Sequence, residues 1–245
     1  MNHTYDNEHF YQKYSQMLRS QKGLAGAGEW QTLREMLPDF MDRRVLDLGC
    51  GFGWHCIYAA EHGAREVLGL DISEKMLEEA RKKSAGFSNI AYRRSGIEEF
   101  DYPAAAYDIV ISSLALHYVE DFREVCAKVK RTLVPGGSFV FSVEHPVFTA
   151  YGSQGWICDA SGKPDHWPVD RYFYEGRREA VFLGERVEKQ HRTLTTYLNG
   201  LLEHGFAITG VREPEPPEDM LEIPGMRDEL RRPMMLLVSA VRRAE

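Results

Sequence analysis

The sequence predicts an α/β fold: a doubly wound, mostly parallel sheet with helices on both faces. Three observations carry that expectation. A short apolar, β-prone run, Val45–Leu48, ends in a turn bearing Gly49, Gly51 and Gly53. A second such run ends in Asp71, 24 residues after Asp47. Beyond it, β-prone and amphipathic helical stretches alternate as far as Glu144, the pattern of parallel strands joined by crossover helices.

Taken in order, Tyr5–Arg19 reads as a helix rich in aromatics (Tyr5, Phe10, Tyr11, Tyr14), and Glu29–Leu37 as a second helix ended by Pro38. Strand one is placed at Arg44–Leu48, largely apolar over Val45–Leu48 as a strand covered on both faces should be. Trp54–His62 follows as a helix whose first N–H groups point at the glycine turn. Strand two is Glu66–Asp71. Helix Glu74–Ser84 starts behind Ser73, a good N-cap. Strand three is Ile90–Arg93 and strand four Tyr107–Ser112. Helix Phe122–Leu133 stops at Pro135-Gly136-Gly137, before strand five at Ser138–Glu144. Helix Leu194–His204 ends at Gly205, a suitable C-cap residue. The apolar runs Phe206–Val211 and Met234–Val241 then read as a closing antiparallel hairpin. The expected organisation is an N-terminal helical lid (1–38), a core (39–144 and 191–245) and an insertion (145–190). The insertion holds Trp156, Trp167, Tyr172, Phe173, Tyr174 and Phe182 and is too long for an ordinary loop. It follows strand five at the carboxyl edge, where such sheets bind ligands, so it reads as a substrate cover with a β-hairpin near Arg178–Lys189. An oligomer interface is the alternative, because aromatics favour both.

Composition narrows the function. The chain has 245 residues, enough for one large α/β domain with an insertion, and 43% of them are hydrophobic, enough to fill a core. A net charge of -7 without any basic stripe argues against nucleic acid. Arg227–Arg232 is mixed with acids and reads as a solvated face. No apolar run reaches the roughly 18 residues of a membrane span, and the N-terminus lacks a signal-peptide core, so a cytoplasmic protein with no membrane partner is expected. Cys50, Cys56, Cys126 and Cys158 are too scattered for a disulfide framework. Without a CxxC pair, the neighbours Cys50, His55 and Cys56 are not read as a metal site. Packing accounts for Cys56 and Cys126.

The glycine turn carries the chemistry. Glycine tolerates positive φ and lets a ligand approach the backbone. A carboxylate at the end of strand two can accept hydrogen bonds from both hydroxyls of a ribose. A dinucleotide fingerprint nevertheless fails, since its third glycine belongs at position 54, which is Trp54, and Gly53 comes one residue early. A looser loop around a methionine moiety fits better than a pyrophosphate cradle. The segments VLDLGCGFGW (Val45–Trp54) and VLGLDIS (Val67–Ser73) resemble the class I S-adenosylmethionine-dependent methyltransferases. The likeness extends through SSLALHYV (Ser112–Val119) and LVPGGSFVFSVEHP (Leu133–Pro146), and FYQKY and HRTLTTYLNGLLEHGF are similar to a bacterial small-molecule branch.

That resemblance implies a Rossmann-like, seven-stranded sheet with a reversed last strand, and S-adenosylmethionine as cofactor with S-adenosylhomocysteine as its product. It implies that Asp47 orders the methionine end, that Gly49, Gly51 and Gly53 form the loop, and that Asp71 binds the ribose. Ile72 and Met76 would pack on adenine or ribose, and Ser113 and Leu114 would neighbour the sulfonium. Where many relatives hold the adenine amino group with an Asp, this chain has Gly96. The Ile97 backbone and the Glu98 side chain are the expected substitutes.

Methyl transfer from a sulfonium is an in-line displacement that mainly needs alignment and exclusion of water. An oxygen nucleophile usually needs a base, whereas an amine must only be neutral. The candidate bases are His117, Glu144 and His145. The competing readings are a capping role for His117 and an ion pair of Glu144 with an arginine such as Arg192. Tyr14, with Tyr11, is expected to fold over the cofactor, where tyrosine faces suit a cationic donor, unless these rings only pack the helix. His191, Arg192 and Tyr197 could orient an acidic or polar substrate. So could Arg231 and Arg232, for which surface exposure is the commoner fate. The leading expectation is a methyltransferase acting on oxygen or nitrogen of a small molecule. The alternatives are a non-catalytic cofactor-binding module and a nicotinamide oxidoreductase, the latter opposed by Trp54.

Overall fold

The computed structural model describes residues 3–244. After a 3-10 turn (His3–Asp6) come α1 (Glu8–Ser15), α2 (Leu18–Lys22) and α3 (Trp30–Met36). The alternating core follows as β1 (Arg44–Leu48), α4 (Trp54–Glu61), β2 (Glu66–Asp71), α5 (Glu74–Lys83), β3 (Ile90–Arg94), β4 (Tyr107–Ser113), α6 (Phe122–Thr132) and β5 (Leu133–Glu144). Next are α7 (Pro146–Thr149), a ribbon of β6 (Ile157–Cys158) and β7 (Pro164–His166), and a hairpin of β8 (Gly176–Phe182) and β9 (Glu185–His191). The chain ends with α8 (Leu194–Glu203), β10 (Phe206–Arg212), α9 (Met226–Glu229) and β11 (Met235–Arg242).

Seven strands make one sheet in the order β10-β11-β5-β4-β1-β2-β3. β1 to β5 are mutually parallel, and β11 lies between β5 and β10, antiparallel to both. Alternate residues of each strand point to opposite faces. Thus Leu46, Val110, Phe139 and Phe141 pack with Phe122, Val125 and Val129 of α6 and Leu201 of α8. Val45, Val67, Ile109 and Ile111 pack with Cys56 and Ala59 of α4 and Leu77 of α5. Trp30 and Leu33 of α3 cover Val140 and Leu237 on that second side. The doubly wound expectation and the reversed closing strand are what the chain adopts.

Some boundaries differ for local reasons. The single helix expected over Tyr5–Arg19 is broken, because Met17 is extended (φ -62°, ψ 147°). Asn7 caps α1 by accepting the His9 and Phe10 N–H groups. α3 stops at Met36, since Leu37 precedes Pro38 and is pushed out of the helical region. β5 begins at Leu133 rather than Ser138. Leu133 pairs with Tyr107 and Ser138 with Ile109, so Pro135-Gly136-Gly137 is looped out inside the strand instead of separating helix from strand.

The insertion is anchored in two places. Leu183 and Gly184 join β8 to β9 with φ of +53° and +81°, the geometry of a two-residue hairpin turn. Phe10 of α1 packs on Ala180 and Val187 of this hairpin, with Tyr5, Tyr14 and Phe182 around it. Lys13 Nζ donates to the Leu183 carbonyl at 3.0 Å. The N-terminal helix α1 and the hairpin are therefore one packed layer. Further along, Arg232 lies 4.1 Å from the centre of the Trp167 ring and 4.5 Å from that of Phe148, and Arg231 lies 4.5 Å from that of Trp156. Arg232 is buried by this stacking, which corrects its assignment to a solvated face. Among the described residues, no helix is long and apolar enough to cross a membrane.

Phe10 is fully buried at the joint between lid and hairpin. Phe10→Ala should cost about 3–5 kcal/mol locally. Amide exchange should accelerate in α1 and in β8–β9 while β1, β4 and β5 keep their protection.

Candidate active site

The carboxyl ends of five adjacent strands line a cavity of about 390 Å³. Across the sheet they contribute Glu144 (β5), Ser113 and Leu114 (β4), Gly49 and Gly51 (after β1), Asp71 and Ile72 (β2), and the Ser95–Glu99 turn after β3. Neighbouring strands lie about 4.8 Å apart, so this row spans on the order of 19 Å. Tyr5, Tyr14, Met17 and Arg19 from the N-terminal segment and Phe182 from the hairpin close it from above.

The glycine turn is fixed by the backbone. Gly49 and Cys50 N–H both donate to the Leu70 carbonyl at 2.8 Å. Gly49 has φ +76°, and a Cβ there would lie 2.4 Å from the Ala115 Cβ, so only glycine fits. At Gly51, φ +53°, a Cβ would meet only the Tyr14 hydroxyl, at 3.8 Å, so this position leaves room for a ligand against the main chain. The Asp71 carboxylate accepts Gly51 N–H on one oxygen and Ser73 N–H on the other, each at 2.9 Å. Each oxygen keeps a lone pair for a ribose hydroxyl. Burial raises the Asp71 carboxyl to about 6, against the pull of these N–H donors.

Two residues expected in the loop do not reach the cavity wall. Gly53 caps α4 from beneath, where a Cβ would strike the Tyr92 hydroxyl at 2.3 Å. Asp47 lies under the turn, 1% exposed. One of its oxygens accepts the Cys56 thiol at 3.3 Å and the other has no partner. Burial pushes its carboxyl up to about 7. The other expected cofactor contacts, Ile72, Met76, Ile97, Glu98, Ser113 and Leu114, all line the cavity. One Glu98 oxygen is already committed, however, accepting the Glu120 and Asp121 N–H groups ahead of α6.

The catalytic candidates separate. Successive strand residues point opposite ways, so when Glu144 faces the cavity, His145 faces away. His145 Nδ1 accepts the Val147 N–H and caps α7, and its Nε2 lies 2.7 Å from a Glu213 oxygen. It is a structural residue, correcting the expectation of a base. Glu144 does line the cavity, but its ion pair is with Lys189 at 2.5 Å, and Gln154 donates to its other oxygen. Arg192 instead donates to the Leu116, Val119 and Glu120 carbonyls. His117 is in the wall, 2% exposed, and its Nδ1 accepts the Glu144 N–H at 3.3 Å. Burial lowers it to about 4, so the ring is neutral with its proton on Nε2. It can donate to a bound molecule but is not set to take a proton from one. Tyr14 is in the roof beside Gly51, its ring 5.5 Å from that of Phe52, whereas Tyr11 packs on Phe52 outside the cavity. His191 and Tyr197 are buried behind the wall, the former bonded to Thr149 and the Tyr172 carbonyl. Of the insertion aromatics only Phe182 lines the cavity; Phe173 and Tyr174 are 87% and 72% exposed.

Sequence reasoning missed several wall residues. Arg19 donates through Nη2 to both Glu29 oxygens at 2.7 Å, and it borders the cavity and a side recess that holds Gly51, Trp54 and His55. The Trp54 indole N–H is buried there without a partner. A cation and an unspent donor beside the glycine turn suit a carboxylate tail. Glu99 folds back over Gly96, where a Cβ would lie 3.3 Å from its carboxyl group. Tyr118 bonds the Tyr5 hydroxyl at 3.0 Å, and Met234 and Met235 enter from the start of β11. Trp54 and Tyr118 lie within the glycine-turn and β4 segments but without a signal for this role, whereas Arg19, Glu99, Met234 and Met235 lie in no motif and reach the cavity from α2, the turn after β3 and the start of β11. The residues present fit a nucleoside joined to an amino acid, with the ribose at Asp71 and the carboxylate near Arg19.

Asp47 generates a pH dependence. Its folded-state carboxyl is raised to about 7 from an ordinary value of 3.8, so folding favours the protonated form. Stability is therefore present at low pH and lost as pH rises between these values. Between pH 5 and 8, urea unfolding of the ligand-free protein should show Asp47→Asn losing less stability than wild type, by about 2–3 kcal/mol.

Comparison with known proteins points the same way. Residues 46–141 match the family model described as "Methyltransferase domain". A Listeria monocytogenes protein assigned to the S-adenosylmethionine-dependent methyltransferases is 56% identical in its crystal structure, covering 91% of this chain and 100% of that one with a TM-score of 0.86. An S-adenosylmethionine-dependent methyltransferase from Mesorhizobium loti is 50% identical over 90% of this chain and 100% of that one, with a TM-score of 0.82. A malonyl-[acyl-carrier protein] O-methyltransferase of Hamiltonella defensa is 34% identical over 57% of this chain and 51% of its own length. With its glycine turn, its Asp71 and its reversed seventh strand, the chain belongs to the class I S-adenosylmethionine-dependent methyltransferase family.

Proposed function

We propose that the chain transfers a methyl group from S-adenosylmethionine to nitrogen or oxygen of a small-molecule acceptor. The observation that carries this reading is the cavity itself. It runs across five strand ends, and Asp71, which suits a ribose, lies at the fourth of them counted from β5. Adenine then falls toward β3 and the amino-acid tail toward β1 and Arg19. The β5 end, with Glu144 and His117, remains for the acceptor. The bound cofactor supplies a methyl already activated by its positive sulfur. The chain's own residues bind, align and exclude water.

Asp71 accepts the ribose hydroxyls, Ile72 and Met76 flank the nucleoside, and Gly51 lets the ligand lie against the main chain. Tyr14 and Tyr5 bring ring faces over the cationic centre. Glu99 takes the place of the missing Asp at the adenine end, because its carboxyl occupies the space that a side chain at Gly96 would fill. The 1–38 segment acts as the lid. Ser73 ties it to the site, since its hydroxyl donates to Asp6 at 2.6 Å while capping α5.

Calorimetric titration tests this with S-adenosylhomocysteine. Binding should weaken on the order of 100-fold in Asp71→Ala, which loses two hydrogen bonds to a charged acceptor. In Glu99→Gln it should weaken roughly 5–10-fold. The analogue carrying an oxygen in place of the adenine amino group should bind wild type and Glu99→Gln alike. Preferential binding of NADH would remove the reading.

A further inference from the structure

The acceptor end of the cavity has a charge and proton inventory that selects among nucleophiles. Its walls are apolar rings and thioethers: Tyr5, Tyr118, Phe182, Met234 and Met235. Its polar groups are the Glu144 carboxylate and the His117 ring. The Lys189 ammonium pairs with Glu144 from behind and lies outside the residues that line the cavity. The remaining cation of the wall, Arg19, pairs with Glu29 beside the glycine turn, at the other end of the cavity. An anionic acceptor would therefore meet a carboxylate and no cation, an arrangement that repels it in a poorly solvated space.

No group there is set to accept a proton. His117 Nδ1 is occupied by the Glu144 N–H, and burial keeps the ring neutral. The Tyr5 hydroxyl donates to Tyr118, and burial raises both phenols, so neither supplies a phenolate. Burial pushes the Glu144 carboxyl up, but the Lys189 ammonium and the Gln154 amide bonded to it hold it below the usual carboxylate range. An alcohol, which must lose its proton as it attacks, finds no acceptor strong enough.

We propose that the acceptor is a small, largely apolar amine whose N–H donates to Glu144, and that methylation occurs on its nitrogen. This inference rests on the methyltransferase reading above. The nitrogen lone pair forms the N–C bond, and the C–S pair leaves with sulfur as a neutral thioether. The positive charge passes from sulfur to nitrogen, which keeps its proton until the product reaches water. The amine enters as its free base, having left its proton to water before binding, so no base is needed inside the chamber, and the product ammonium forms beside the Glu144 carboxylate, where it is stabilised as it develops.

The test uses wild type saturated with S-adenosylhomocysteine and three matched probes: 2-phenylethylamine, 2-phenylethanol and 3-phenylpropionate. Competition binding is measured, together with transfer of labelled methyl from S-adenosylmethionine to a panel of alkyl, aryl and heteroaromatic amines, alcohols and carboxylates. The amine should bind at least tenfold more tightly than the other two probes, and methylated products should be N-methyl compounds. In Glu144→Gln the amine preference should fall at least fivefold while S-adenosylhomocysteine affinity changes less than twofold. Equal or better binding or methylation of the alcohol or carboxylate overturns the proposal, as does an amine set with no binder, or a preference untouched in the variant. Failure of wild type to bind S-adenosylhomocysteine would instead overturn the methyltransferase reading. The wild-type panel decides the matter even if the variant misfolds.

Discussion

The Asp71 carboxylate organises the whole site. It is buried at the end of β2, where a charge is costly, and two backbone N–H groups hold it there. One comes from Gly51 and fixes the turn after β1. The other comes from Ser73, which starts α5 and whose hydroxyl reaches Asp6 in the N-terminal segment. A single carboxylate thus joins β1 and β2, the glycine turn, a helix start and the N-terminal segment. It also keeps a free lone pair on each oxygen for the cofactor.

The same cavity has two electrical characters. Around Asp71 and Arg19 it offers acceptors, a cation and an unspent indole N–H, as a ribose and an amino-acid tail require. Toward β5 it becomes apolar, with one screened carboxylate and a neutral imidazole. The step from one to the other occurs over the Ser113–Leu114 turn of β4, where Leu114 takes a positive φ of 54° and its N–H bonds the Ser142 carbonyl and hydroxyl. Both halves are closed by one layer, the N-terminal helices packed on the β8–β9 hairpin. Residues that meet in this cavity come from segments more than a hundred positions apart.

Much of this was legible in the chain. Buried parallel strands read as continuous apolar runs, the glycine turn marks a backbone that must approach a ligand, and Asp71 declares itself by its place after strand two. The fold and most of the cofactor wall follow from these local signals. What was misread depended on direction or on distant packing. Glu144 and His145 are adjacent, yet the pleat sends only Glu144 to the cavity. Asp47 has the right position in the motif but points beneath the turn. Of the insertion aromatics only Phe182 reaches the chamber, beside Tyr5, Tyr14 and Tyr118, because Trp156 and Trp167 stack on Arg231 and Arg232 instead. Arg19 and Glu99 carried no signal, because one depends on the break at Met17 and the other on a turn folding over Gly96.

The most direct test of this account is a crystal structure of the protein with S-adenosylhomocysteine. The ribose hydroxyls should bond Asp71, adenine should lie against Ile97 and Glu99, and the homocysteine sulfur should sit beside Ser113 and Leu114. The space between Glu144, His117 and Phe182 should remain open. A product bound with its ribose away from Asp71, or with its tail filling the Glu144 end, would contradict the division of the cavity on which everything else rests.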